Sequence, residues 1–246
     1  MNNIILPNNL EERIREAVRF FWNTRTGQLN LHGDQDHGNR GAVTAGKQLD
    51  GFVYLVVEIL KINGVPDDCI FTHSNMELPG YYRPNKKWDL LVIHNGVLLV
   101  AIEFKSHIGP SFGNNFNNRT EEAMGSAMDL WTAYREGVFG LQKAPWLGYF
   151  LLVEDCEKSS EPVKTKAPHF HVMDEFVDAS YQKRYEIFCK KLILERKYAS
   201  ACFGITHYRQ KESCCDFPNG DLSFLSFVES MLSAVLAHFL NWRQQN

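Results

Sequence analysis

The segment Trp88-Asp-Leu-Leu-Val-Ile-His-Asn-Gly-Val-Leu-Leu-Val-Ala-Ile-Glu-Phe-Lys105 constrains this chain more than any other. Two apolar runs, Leu90 to Ile93 and Val97 to Ile102, flank Asn95-Gly96. Asn-Gly between two β-rich runs is a strong local hairpin signal, because both residues tolerate the backbone that a tight turn requires. Runs that are apolar on both faces belong inside a sheet covered on both sides. Yet this hairpin carries Asp89 at its entry and Glu103 and Lys105 at its exit. Desolvating an unpaired charge costs roughly several kcal/mol, so the three either pair with one another or hold a cation.

Register decides whether they meet. A two-residue turn sets His94 opposite Val97 and Asp89 opposite Ile102, which leaves Asp89 and Glu103 on different faces. A three-residue loop, His94-Asn95-Gly96, sets Asp89 opposite Ala101 and brings Asp89, Glu103 and Lys105 to one face. The spacing therefore predicts the three-residue loop or an equivalent bulge, with Gly96 taking a positive φ. Asp at the start of one strand and Glu-x-Lys at the end of the next resembles the PD-(D/E)xK nuclease signature. Trp88 stands where that motif has Pro, a position that ligates nothing. The competing reading of the same residues is a buried Asp/Glu/Lys ion cluster.

The chain of 246 residues, 44% of them hydrophobic and 13% aromatic, is ample for one large core, so a single domain over 1–246 is expected. No apolar run reaches membrane-spanning length, and Met-Asn-Asn-Ile-Ile-Leu-Pro is not a signal peptide, so a soluble, cytoplasmic protein is expected. Six cysteines without Cys-x-x-Cys or His/Cys metal spacing read as free thiols. The formal net charge of -3 argues mildly against a constitutive nucleic-acid binder, though not against one with its basic residues in a cleft.

In order, a helix is predicted from Asn9, with Glu12 at the capping-box position. A polar, Gly-rich loop follows from Gly27 to Gly41, whose histidines and aspartates lack ligand spacing. Thr44 to Ile62 reads as the second helix and Cys69 to Thr72 as a short strand. Glu77-Leu-Pro-Gly-Tyr-Tyr-Arg-Pro connects to the hairpin. The Asn-rich stretch from Gly109 reads as a loop, with a third helix over about Arg119 to Glu136 capped by Asn118 and Glu121. Strands at Leu147–Val153 and Ala201–His207, a charged helix at about Ala179–Tyr198 and an amphipathic helix at Ser223–Arg243 complete the chain. From 44 to 153 the order is helix, three strands, helix, strand. That is the α/β core of the PD-(D/E)xK restriction-endonuclease-like fold, here with added helices.

Several further stretches closely resemble the XhoI family of type II restriction endonucleases. They are Arg40-Gly-Ala-Val-Thr, Gln48-Leu-Asp-Gly-Phe, Glu77-Leu-Pro-Gly-Tyr-Tyr-Arg-Pro, Trp88-Asp-Leu-Leu-Val, the segment from Gly109 through Asn118-Arg119-Thr-Glu-Glu-Ala-Met-Gly-Ser-Ala, and Leu130-Trp-Thr-Ala-Tyr-Arg-Glu-Gly. The likeness continues through His169-Phe170 and Tyr181 to Arg184. It implies a Mg2+-dependent site-specific deoxyribonuclease that cuts both strands of double-stranded DNA at CTCGAG and leaves 5′ overhangs. The alternatives are a structure-specific or repair nuclease of the same fold and a non-catalytic DNA-binding module.

On this reading the metal ligands are the carboxylates of Asp89 and Glu103 and the carbonyl of Phe104, and Lys105 stands beside the attacking water. Whether Lys105 itself takes the proton stays open. Asp50 and Glu77 are secondary acidic candidates. Removal of one carboxylate from a like-charge cluster is expected to relieve repulsion. Asn114, Asn115, Asn117, Asn118, Arg119, Glu121 and Glu122 are candidate DNA contacts, because Asn suits adenine, Arg guanine and Glu the cytosine amine. A palindromic target implies a symmetric homodimer. Its candidate apolar surfaces are Phe224, Phe227, Met231, Val235 and Phe239 on the last helix and Met128, Leu130 and Trp131 on the third.

Overall fold

A computed structural model of the chain describes residues 4–31, 46–209 and 212–245. Its centre is a mixed six-stranded sheet in the order β1-β4-β5-β6-β7-β8. The strands are β1 (Ile70–Phe71), β4 (Leu90–His94), β5 (Val97–His107), β6 (Trp146–Glu154), β7 (Ser200–Arg209) and β8 (Glu212–Asp216). A separate two-stranded ribbon, β2 (Glu77–Pro79) with β3 (Asn85–Lys87), precedes β4. The long helices are α1 (Leu10–Leu31), α2 (Asp50–Ile62), α3 (Phe112–Arg135), α4 (Tyr181–Leu194) and α5 (Phe224–Gln245).

Both sheet faces are covered, as the apolar runs of the hairpin require. On one face, Phe21, Phe52, Ile59, Phe224 and Phe227 of α1, α2 and α5 pack on Val100, Ile102, Phe104 and Phe150. On the other, Ala127, Leu130, Tyr185 and Phe188 of α3 and α4 pack on Ala101, Leu147, Tyr149 and Phe203. β5, β6 and β7 run parallel, and α3 makes the crossover between the first two. The order of helix, three strands, helix and strand is present between Asp50 and Glu154, with the β2–β3 ribbon added.

The hairpin solves its register differently from the favoured expectation. The three-residue loop does not form. His94 pairs with Val97 and Ile93 with Leu98, across a two-residue turn in which Asn95 and Gly96 have φ of 50° and 77°. Both residues accept this left-handed backbone, which matches the twist of the strands. The register then slips: Val92 pairs with Val100 and Leu90 with Ile102. Leu99 is thus the extra residue of a bulge, the alternative that the spacing allowed. Carried one step on, the shifted register sets Asp89 abreast of Glu103.

Other elements depart from the sequence pattern. α1 extends through Gly27–Leu31, which had read as loop; the rest of that stretch, with its histidines and aspartates, lies outside the described residues. The third helix begins at Phe112 rather than Arg119, so the Asn-rich segment is helical and Asn118 is an interior residue, not its cap. Phe112 stacks on His107 and Tyr181 at 4.5 and 5.7 Å between ring centroids, and Phe116 meets Tyr185 at 4.9 Å. Two aromatic anchors one helical turn apart override the weak helix propensity of the asparagines between them. The charged helix stops at Leu194, and β8 had no counterpart in the sequence reading.

Asp129 of α3 fastens the β2–β3 ribbon to this layer. Its buried carboxylate accepts the backbone N–H groups of Tyr81 and Tyr82, both at 2.8 Å, and Arg83 Nε at 2.6 Å. The approach needs Gly80: a Cβ there would lie 2.5 Å from Asp129 Oδ2. Burial raises the Asp129 pKa, but the Arg83 and backbone hydrogen bonds outweigh it and hold the group below its ordinary 3.8. The stabilisation is therefore complete above about pH 4 and fades as pH falls through the lowered native value.

Asp129→Ala strands two backbone donors and should cost about 2–3 kcal/mol in urea denaturation, with the difference from wild type shrinking in acid. Gly125 lies exposed in the middle of α3, and a Cβ there would meet nothing within 4 Å. Gly125→Ala should accordingly raise stability by about 0.5–1 kcal/mol in the same assay.

Candidate active site

Asp89, Glu103 and Lys105 lie on the sheet face covered by α3 and α4, in the position that the bulge dictates. β4 starts only at Leu90, whereas its antiparallel partner β5 runs on to His107. Past that point the Asp89 side chain replaces the missing strand: its Oδ2 accepts the Phe104 N–H at 2.8 Å, while its own N–H donates to the Ile102 carbonyl at 3.1 Å. Asp89 is consequently fixed by the same backbone that carries Glu103.

Glu103 is 1% exposed. Its Oε1 accepts Lys105 Nζ at 2.9 Å and Lys86 Nζ at 3.1 Å. The Tyr198 hydroxyl lies 3.4 Å from Oε2 but 3.0 Å from the Ala123 carbonyl. A hydroxyl donates once, and the shorter contact takes its proton, so Oε2 is only weakly bonded. Tyr149, the parallel-strand neighbour of Glu103, is fully buried and its hydroxyl has no hydrogen-bond partner among the described residues.

The electrostatics follow from this arrangement. Burial alone would raise the Glu103 pKa; Lys105 and Lys86 outweigh it, and the group titrates below its ordinary value. Asp89 moves the other way, because burial outweighs the Phe104 N–H and the two lysines, and Glu103 adds repulsion. The surroundings are thus not the like-charge cluster expected from sequence. Two ammonium groups balance two carboxylates, and removal of Glu103 would leave both lysines without their counter-ion rather than relieve repulsion.

His107 closes the same face. Its Nε2 lies 3.2 Å from the Ser111 carbonyl, which only accepts, so Nε2 carries the proton and Nδ1 accepts the Tyr185 hydroxyl at 2.6 Å. Burial pushes this imidazole down to about 4, which keeps it neutral near pH 7. With both ring nitrogens engaged, it ties β5 to the start of α3 and to α4.

The remaining candidates separate. Asn114, Asn117, Asn118, Glu121 and Glu122 are exposed on the first half of α3, and Asn115 is half-buried. Arg119 is half-buried, tied to Glu122 at 2.6 Å, and its Nε has no partner among the described residues. Asp50 opens α2; burial raises its pKa, and the charges acting on it are His73 and Lys47, not the site residues. Glu77 is exposed on β2, paired in register with Lys87. Neither extends the Asp89–Glu103 pair. Lys86, Tyr149 and Tyr198 escaped the sequence reading, because nothing local distinguishes Lys86 from Lys87, and the tyrosines reach Glu103 only through long-range pairing.

Two carboxylates on one sheet face, Asp89 and Glu103, are hard-oxygen donors. No group of three or more His, Cys, Asp or Glu forms a metal cluster among the described residues. Two carboxylates are what Mg2+ uses, since it keeps several waters, and the unpartnered Tyr149 hydroxyl adds a polar group beside them. The donors therefore fit such an ion.

Comparison with known proteins places the chain in a family. The family model described as restriction endonuclease XhoI matches residues 28–219. The type II restriction enzyme BstVI of Geobacillus stearothermophilus is 49% identical over 207 residues, covering 82% of this chain and 92% of that protein. XhoI of Xanthomonas vasicola is 50% identical over 184 residues, 74% of each chain. AbrI of Azospirillum brasilense is 48% identical over 164 residues, 65% of this chain and 73% of that one. No solved structure matches the chain significantly. With most of its length matched by the family model and about half of the aligned residues identical to those of named type II enzymes, the chain belongs to the XhoI family of restriction endonucleases.

Proposed function

We propose that the protein is a Mg2+-dependent type II restriction endonuclease that hydrolyses one phosphodiester bond in each strand of double-stranded DNA. The observation that carries this is the convergence of Asp89 and Glu103 on one face with Lys105 on the Glu103 oxygen, in a chain of this family. The element order between Asp50 and Glu154 supports a PD-(D/E)xK core, within one catalytic domain over 1–246 on this reading. The target CTCGAG, with 5′ overhangs, follows from the resemblance to the family. No helix among the described residues is long and apolar enough to cross a membrane.

Held by the Asp89 and Glu103 carboxylates and the Phe104 carbonyl, Mg2+ would supply positive charge at the phosphate and a water of lowered pKa. Asp89 is kept in place by the Phe104 N–H, so the donors are organised by backbone rather than by a mobile loop. Lys105 orients the water and stabilises negative charge on the phosphoryl oxygens. Water adds to phosphorus, the bond to one ester oxygen breaks, and a proton passes to the departing oxygen.

Asn114, Asn117, Asn118 and Glu121 recur at helical spacing on the exposed side of α3, which suits reading base edges in the major groove. Arg119, turned toward the sheet and paired with Glu122, suits a phosphate better than a base. A palindrome presents two equivalent phosphates, so a two-fold homodimer is the matching assembly. Its surface is not the stripe of α5 first considered: Phe224, Phe227, Met231, Val235 and Phe239 are all buried on the sheet. On α3, Leu130 is buried and the Trp131 Nε1–H donates to the Lys197 carbonyl at 2.8 Å, which leaves Met128 and Met124 exposed.

Purified protein with Mg2+ should cut a panel of plasmids into discrete bands; uncut DNA or a smear would refute a sequence-specific endonuclease. Asp89→Ala and Glu103→Ala should abolish cleavage but retain binding of the cognate duplex in Ca2+, read by gel shift. Lys105→Ala should slow single-turnover cleavage by about 10²–10³-fold. Sedimentation with cognate DNA should give two chains per duplex; one chain per duplex, with nicked product, would remove the dimer.

A further inference from the structure

We propose that Lys86 is a second cationic residue of the cleavage site: it neutralises Glu103 while no divalent ion is bound, gives up that oxygen to the metal, and then faces the scissile phosphate. The proposal rests on the metal-dependent nuclease reading above.

Four observations lead to it. First, Lys86 comes from a different element than the hairpin. It lies on β3, in a ribbon that Asp129 fastens to α3, and its side chain is 14% exposed. A lysine on a surface ribbon has free choice of solvent; this one turns inward to a carboxylate. Second, it shares one oxygen with Lys105, at 3.1 and 2.9 Å. Two ammonium groups on one oxygen repel each other, and a single lysine would already neutralise Glu103. Third, the quartet of Asp89, Glu103, Lys86 and Lys105 is formally neutral. A divalent ion added to an unchanged neutral quartet gains little attraction, so an ammonium must leave the oxygen that the ion takes. Fourth, Lys86 Nζ stands 4.7 Å from the centre of the buried Trp88 ring. A cation over an indole face is stabilised away from carboxylates, which gives the displaced ammonium a station beside the site.

Lys86 rather than Lys105 is the one to move. Lys105 is anchored two residues from Glu103 on the same strand and face. Lys86 reaches Glu103 from β3, a strand outside the six-stranded sheet. It also gives Trp88, which replaces the proline of the nuclease motif, a physical task that proline could not perform. A phosphodiester entering the site brings the negative charge that the released ammonium then meets.

Mn2+ serves as the probe, measured on DNA-free protein by calorimetry or electron paramagnetic resonance. Lys86→Met, and Lys86→Gln as a second variant against a folding defect in the first, should bind Mn2+ about tenfold more tightly than wild type, within the usual range for coupled sites. Asp89→Asn is the control. If it leaves Mn2+ affinity intact, the metal-site reading itself fails. If it weakens Mn2+ while both Lys86 variants bind as wild type does, only the present proposal is overturned. At saturating Mg2+, the Lys86 variants should cleave cognate duplex about 10–100-fold more slowly in single turnover, and Lys86→Arg should recover part of the rate. Full-rate cleavage by Lys86→Met would overturn the role at the phosphate.

Discussion

Glu103 carries a full charge in a strand covered on both faces, and the chain neutralises it with Lys86 and Lys105 on a single oxygen. Much of the local architecture is what that requires. The bulge at Leu99 turns Asp89 to the same face. The late start of β4 leaves the Phe104 N–H for the Asp89 carboxylate. The β2–β3 ribbon delivers the second lysine, and Asp129 holds the ribbon down. Tyr198, just before β7, encloses the far side. Each device fixes a polar group in a place where solvent could not compensate for its loss.

The two faces of the sheet divide the work. One is an apolar layer in which the side chains of Phe52, Phe104, Phe150, Phe224 and Phe227 meet, and it takes none of the side chains of Asp89, Glu103 and Lys105. The opposite face keeps its apolar residues toward α3 and α4 but admits Glu103, Lys105 and His107 along β5. Charge can be tolerated on one side because cohesion is secured on the other.

Helix α3 shows a conflict between local preference and packing. Its opening sequence, rich in Gly and Asn, favours turns. Phe112 and Phe116 nevertheless dock on His107, Tyr181 and Tyr185, and the helix starts seven residues before the position that capping residues suggested. The asparagines are then displayed at helical spacing on a rigid element. A loop would present the same side chains with no fixed spacing, so the packing of two phenylalanines governs how they could meet a partner.

The sequence by itself determined the elements whose signals are local. The Asn95-Gly96 turn, the two-sided apolar runs, the order of helix, strands, helix and strand, and the pair Asp89 and Glu103 on one face were legible, because turn chemistry and period-two alternation are short-range. Only the tertiary structure decided the rest. Whether a loop or a bulge corrected the register depended on how β5 packs on both faces. Lys86 joined the site because a carboxylate on α3 pulls the ribbon in, and that contact spans 46 residues between Arg83 and Asp129. The apolar stripe of α5 went to the core rather than to a surface because the sheet offered it more apolar area than solvent leaves for a partner. Such outcomes depend on competition between distant segments for the same burial, and no window of sequence contains that competition.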